Sequence, residues 1–446
     1  MNKFQVAYVP VGVPTFHLES ARKEFDASVK LLKSVDSEVA VPEEMLLSID
    51  KLKAFLDSVN PDLIVLQNVT FANAAYACEV LSRFDCPILL WTLREPVIDG
   101  GRLRLNSLTG AFSAANAIKS FREEPFTYIF GSPEEEKVIK TVKATVSAAK
   151  LKKQFKSLKL CAIGHTPQGF GFGRALDAEM LKNFGVTLES IEARELIDAA
   201  KSYTEEEVSE YLKDADSRMT GLSATPEKNR VDFARLYKAY KEYVTKNNIG
   251  AVASRCWPDF FTAFGTPVCA VLAMLNDLNV AAACEADTYG ALSMYAAMQL
   301  TGKPSFFGDP VSMNEEDSTI TFWHCGTAAC SLARTDTGAK VDVHCNRKIG
   351  PTLDFGCKSE KNVTIFRIGK KADGSFRFFI AKGEALDKPK QFNGTSVVVK
   401  TETSAEKIIN ESVLAGWEPH FAVAYGDISM ELKILADMLN MEVTLY

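Results

Sequence analysis

The chain has 446 residues, of which 47% are hydrophobic and 24% charged, with a net charge of −6. This is the composition of a globular protein, and its length exceeds one ordinary core, so two or three domains are expected. The mild acidity, without any Lys/Arg cluster interleaved with aromatics, argues against a nucleic-acid partner, and no stretch approaches the roughly 20 apolar residues of a membrane span.

The opening MNKFQVAYVPVGVPTFHLES reads as a strand broken by Pro10 and Pro14, not as a signal peptide. The first 155 residues then alternate strand and helix. Strands are expected at 4–9, 38–41, 63–66 and 87–91, and helices at 19–32, 42–59 and 71–84. Pro42 suits the first turn of the second helix. This rhythm implies a parallel sheet covered on both faces.

The Lys- and Ala-rich stretch 137–159 reads as a helix ending at a boundary. A second βα series follows. Its strands are expected at 158–163, 187–191, 251–254 and 280–283. Its helices fall at 175–184, 204–216, 228–247 and 261–278, with a further helix-like segment at 291–300. This too is the pattern of a doubly wound sheet. After about residue 305 the rhythm changes to short runs at 319–323, 339–343, 363–369, 375–381 and 395–401. They are divided by Gly, Asp and Lys, with a hairpin signal at Ala372-Asp373-Gly374. An antiparallel, barrel-like domain is expected, then a helix at 429–439 and a last strand. The expected domains are 1–156, 157–305 and 306–446, an α/β chain of two doubly wound parallel sheets and a β-barrel-like end.

Ten cysteines are scattered through the sequence. None forms a CxxC pair, which argues against structural zinc. Most sit in apolar runs and read as buried, reduced thiols, which fits a cytoplasmic location.

Chemistry concentrates late in the chain. Glu285 ends the small apolar run Ala281–Cys284, where a carboxylate is costly unless paired. It is a ligand group at a sheet edge, a helix cap, or the partner of an arginine. Asp287 reads as the N-cap of the next helix. Asp309, in Phe306-Phe307-Gly308-Asp309-Pro310, is either a turn residue or a metal ligand. His420 precedes an apolar strand, and His324 lies in Trp323-His324-Cys325-Gly326. Two carboxylates and imidazoles form a hard, mixed oxygen and nitrogen set suited to a divalent cation.

The loop Gly164-His165-Thr166-Pro167-Gln168-Gly169-Phe170-Gly171-Phe172-Gly173 matches neither nucleotide fingerprint and reads as a pocket lining. Arg255 and Trp257 end another strand and suit hydroxyls and a sugar face. Asn68 and Thr70, and the run Arg94-Glu95-Pro96, end strands of the first domain and are candidates for substrate contacts.

The run CEADTYGALSMYAAMQLTGKPSFFGDP, the following FWHCGTAACSLA and the final PHFAVAYGDISMELKILADMLNMEVTLY together resemble the L-fucose isomerase and L-arabinose isomerase superfamily. The resemblance implies a metal-dependent aldose–ketose isomerase working through an enediolate. Glu285 and Asp309 would be acid, base and metal ligands, and His420 a third ligand. Mn²⁺ is the expected ion, with other divalent cations as alternatives. His324 would be either a fourth ligand or a hydrogen-bonding group for substrate. The sugar would be a deoxyhexose, a sulfonated hexose or a pentose. Arg94, Arg102, Arg104, Arg174 and Arg255 are candidates for gripping an anionic C6 group. The resemblance also implies a homo-oligomer, with a hexamer favoured. The alternative is a non-catalytic sugar-binding protein with two α/β lobes.

Overall fold

The computed structural model describes residues 3–446. The chain folds as two compact units. The first comprises residues 1–154 and 430–441, and the second 155–429 and 442–446. The segments expected as second and third domains lie in the second unit, each with its own sheet, except for residues 430–441, which belong to the first.

The first unit carries a parallel sheet in the order β1 (Val6–Val11), β2 (Leu63–Asn68), β3 (Ile88–Thr92) and β4 (Thr127–Phe130). Every residue of β1, β2 and β3 is buried, as a sheet covered on both faces requires. Strand β4 is partly exposed and was not expected, because Thr127–Phe130 is too short to show a period. The strand expected at 38–41 shrinks to one bridge between Ala40 and Ala7. The helix expected at 42–59 is only Ile49–Leu56, capped by Ser48. Leu46 bridges Val11 instead, so the edge of the sheet takes the backbone that Pro42 seemed to offer a helix.

The second unit begins with a parallel sheet in the order β6 (Thr187–Ile191), β5 (Lys159–Ile163), β7 (Ala251–Ser254), β8 (Ala281–Cys284). The order reverses between β5 and β7, which opens a crevice at the carboxyl ends of the strands. The helix expected at 261–278 is two pieces, a π-helical turn at Phe260–Phe264 and an α-helix at Cys269–Asp277. Gly265, at φ +85°, followed by Thr266 and Pro267, divides them.

The remaining strands are β9 (Phe306–Asn314), β10 (Thr319–His324), the two-residue β11 (Val341–Asp342), β12 (Thr352–Leu353) and β13 (Phe355–Gly356), then β14 (Glu360–Lys370), β15 (Phe376–Ala385), β16 (Thr395–Thr401), β17 (Phe421–Ala424) and β18 (Glu442–Leu445). Six of them close a ring in the order β16, β10, β9, β17, β14, β15 and back to β16, every pair antiparallel. Closure removes free edges. The β14–β15 hairpin turns at Gly374, φ +87°, and the Asp373 carboxylate accepts the Ser375 N–H at 2.9 Å. No helix among the described residues is long and apolar enough to cross a membrane.

Candidate active site

Glu285 leaves the carboxyl end of β8 in a left-handed conformation, φ 60°, and Ala286 follows at φ 55°. Two successive non-glycine residues there store strain of about 1–3 kcal/mol each, of a kind that collects at functional sites. The turn ends at Asp287, which caps the helix Thr288–Thr301 by accepting the Gly290 N–H at 2.8 Å. Loop 164–174 packs on this turn so closely that a Cβ at Gly173 would meet the Asp287 Cα at 2.8 Å.

Asp309 is not the turn residue that one of its two readings allowed. It lies inside β9, opposite Trp323 of β10, where the register shifts between Thr321 and Phe322. Pro310 sits at that irregularity, and a bulge next to a site re-aims a side chain. His420 immediately precedes β17, whose Phe421 pairs with Gly308, so strand pairing brings His420 alongside Asp309. A Cβ at Gly308 would strike the Trp323 carbonyl oxygen at 2.4 Å, so glycine permits that close approach. His324 ends β10, buried.

These elements converge. His420 Nε2 lies 3.0 Å from Glu285 Oε2 and 3.4 Å from Asp309 Oδ1. Donor atoms of Glu285, His324 and His420 lie within 4.8 Å of one another. His420 Nδ1–H donates to Asp287 Oδ2 at 2.9 Å, and the guanidinium of Arg367 donates twice to the same carboxylate, at 2.5 and 3.1 Å. Asp287, Arg367 and His420 are all buried. Asp287 therefore fixes the imidazole tautomer and leaves Nε2 facing the carboxylates.

Electrostatics follow from burial. Burial pushes Asp309 up, helped by the charge of Glu285 and opposed by His420 and His324. Burial lowers the His420 pKa, but bonds to Asp287 and Glu285 with the charge of Asp309 raise it to about 9. His324 is also raised, against the effect of burial, by Cys325 beside Nδ1 and by Glu285 and Asp309. The cluster demands positive charge at its centre. A divalent cation meets that demand with a suitable donor set, carboxylate oxygens and imidazole nitrogens backed by hydrogen-bonded partners. Glu285, His420 and His324 thus suit a divalent cation, and the Asp309 carboxylate lies beside them, 3.4 Å from His420 Nε2.

Aromatic rings wall the cluster. Phe172 and Phe307 lie 5.4 and 4.9 Å from the His420 ring, and Phe170 bridges His420 to Trp257 at 6.4 and 6.2 Å. Arg255 pairs with Asp259 at 2.8 Å and donates to the Trp257 carbonyl. Asn68 and Thr70 belong to the other unit. Both are buried, and Thr70 Oγ1 accepts the Val13 N–H at 2.9 Å.

Of the five arginines considered for an anionic group, Arg94 pairs with Glu135, Arg104 with Asp99 and Arg255 with Asp259. Arg102 donates to the Thr15 carbonyl. Arg174 has no carboxylate partner among the described residues and donates to Thr166 Oγ1 at 3.2 Å. Sequence reasoning passed over Arg347, whose guanidinium lies over the rings of Trp257 and Phe261 at 5.0 and 5.1 Å. It too lacks a carboxylate partner among the described residues.

Residues 323–446 match the family described as L-fucose isomerase, C-terminal domain. Over 446 residues, covering all of both chains, the protein is 62% identical to the sulfoquinovose isomerase of Clostridium sp. (strain MSTE9). It is 37% identical to that of Priestia aryabhattai over 450 residues, again all of both chains. It is 36% identical to that of Alkalicoccus urumqiensis over 444 residues, 98% of each. Full-length likeness to enzymes sets aside the non-catalytic reading. The chain belongs to the fucose-isomerase-like family and is an isomerase of the aldose–ketose class.

Proposed function

We propose that this protein interconverts an open-chain sulfonated hexose, sulfoquinovose, and its ketose, with a divalent cation, Mn²⁺ by expectation, held by Glu285, Asp309, His420 and His324. The observation that carries the reading is the meeting of two carboxylates on one imidazole nitrogen, Glu285 at 3.0 Å and Asp309 at 3.4 Å from His420 Nε2. Bound there, the cation would polarise the C1 and C2 oxygens and stabilise negative charge on them.

The chain's own groups move the protons. One carboxylate takes the proton from C2 of the aldose. The electron pair of that C–H bond forms the C1–C2 double bond, and the former carbonyl oxygen O1 gains a proton. Returning a proton to C1 and removing the one on O2 completes the ketose. Protons are conserved and no external oxidant enters. Asp287 holds His420 in place, and Phe170, Phe172 and Phe307 exclude water from the reacting carbons.

The sulfonate reading is supported by the names of the full-length relatives and by Arg347 and Arg174, cations in the same unit without carboxylate partners among the described residues. A fixed fork of N–H donors suits a three-oxygen anion. The test is a panel of aldoses with added Mn²⁺. Sulfoquinovose should turn over far faster than glucose or L-fucose. Equal turnover of the neutral sugars would remove the sulfonate assignment and leave the isomerase chemistry.

A further inference from the structure

Cys325, Cys269 and Cys256 come from three separate segments and touch in succession. Cys325 follows β10, Cys269 opens the helix Cys269–Asp277, and Cys256 follows β7. Cys269 Sγ lies 3.8 Å from Cys325 Sγ and 3.5 Å from Cys256 Sγ. All three are free thiols. Cys256 and Cys269 are buried, whereas Cys325 is partly exposed. Cys325 Sγ also lies 3.2 Å from Nδ1 of His324, its neighbour in the chain. The succession therefore runs from a sulfur that solvent reaches, beside a residue of the candidate active site, to sulfurs that solvent does not reach.

We propose that Cys325 and Cys269 form a redox switch on the isomerase, in which a hydroperoxide oxidises Cys325 and Cys269 closes a disulfide with it. In the first step the Cys325 sulfur attacks the peroxide and breaks its O–O bond. The thiol becomes a sulfenic acid, and the peroxide is reduced to water. In the second step the Cys269 sulfur attacks the Cys325 sulfur, the S–S bond forms, and the sulfenic oxygen leaves as a second water with the Cys269 proton. Two thiols and one hydrogen peroxide give one disulfide and two waters. Cys256 and Cys269 stand closer together, but oxidation begins at an accessible sulfur, so Cys325 is the point of entry and Cys269 its resolving partner. A disulfide holds its sulfurs at about 2.05 Å, so this pair must close by roughly 1.8 Å. That movement draws Cys325 away from the His324 ring and pulls on the end of β10. A displacement of about 1 Å in a catalytic site costs roughly a hundredfold, so closure of the bond switches the enzyme off and a thiol reductant switches it on again. The loss of activity rests on the placing of His324 in the active site; the disulfide does not.

The experiment reads the bond and the activity together. Reduced protein is treated with hydrogen peroxide, quenched with catalase, alkylated and mapped by peptide mass spectrometry. Turnover is followed in parallel, with whichever aldose of the panel the enzyme takes, so a wrong substrate assignment is not mistaken for a wrong pairing. A Cys269–Cys325 cross-link should accumulate as turnover falls at least about tenfold, and dithiothreitol should reverse both. In Cys269→Ala, which removes the resolving thiol, dimedone should trap a sulfenic acid at Cys325. Further peroxide should carry it to the sulfinic acid, a loss that dithiothreitol does not repair. If that variant does not fold, the unmodified protein decides alone. Absence of the cross-link in oxidised unmodified protein overturns the proposal, as does a Cys256–Cys269 cross-link in its place. A Cys269–Cys325 cross-link that leaves turnover unchanged overturns the switch equally.

Discussion

Arg367 and Asp287 form an ion pair with both side chains out of solvent, and that pair stands directly behind His420. Removing one partner of such a pair leaves an uncompensated buried charge, which costs about 3–5 kcal/mol. Arg367→Met is therefore expected to lower unfolding stability by roughly that amount, read from urea denaturation, with a weaker effect for Arg367→Lys. An unchanged urea midpoint in both variants would refute this role.

The same carboxylate predicts an acid limb. Burial pushes the Asp287 pKa up, but the charges of Arg367 and His420 outweigh it and hold the group below the usual range. A depressed folded pKa stabilises the fold above the unfolded value of about 3.9, and that contribution is lost as pH falls through the folded value. Asp287→Asn, which keeps a helix cap, is expected to flatten the fall in stability below about pH 4. It is also expected to weaken metal binding by roughly 10–100-fold, as loss of a histidine's supporting carboxylate does. Calorimetric metal titration and pH-dependent melting read the two effects.

Glu285→Gln and Asp309→Asn keep volume and remove a proton-accepting charge. Each is expected to lower turnover by at least roughly a hundredfold, the scale of a lost general acid or base. A folded variant with normal turnover would strike that residue from the acid–base pair.

Chelation is expected to abolish activity, and Mn²⁺ to restore it. Full activity in protein shown to be metal-free by elemental analysis would end the metal-dependent reading.

Arg347→Gln and Arg174→Gln should act on binding of the anionic end, raising KM for the sulfonated sugar more than they lower kcat. If both variants keep the parent KM, the sulfonate is held elsewhere. By the family resemblance, the active form is expected to be a homo-oligomer, a hexamer by preference. Light scattering at assay concentration checks it, and an active monomer would refute it.

Much of the architecture was readable from period and punctuation, because buried parallel strands such as Leu63–Asn68 and the Asp373-Gly374 turn state themselves locally. Helix ends were less so. The stretch 261–278 looked continuous although Gly265-Thr266-Pro267 held the break. The sequence singles out Glu285, Asp309, His324 and His420; donor atoms of Glu285, His324 and His420 lie within 4.8 Å of one another, with Asp309 3.4 Å from His420 Nε2. Asp287 reads from sequence as a cap, which it is, but its second duty depends on Arg367, a residue 80 positions away. A signal for that pairing existed, since Arg367 interrupts the apolar run Val363–Ile368 and a charge in a buried strand needs a partner.

The ring of six strands closes through β17, which slots between β9 and β14 and carries His420 into place. A chain emerging from the ribosome can complete the sheet that bears Glu285, and the strand that bears Asp309, long before this last segment exists. On the proposed mechanism, competence for proton transfer is withheld until barrel closure, so a truncated or misclosed product is expected to be inert toward sugars.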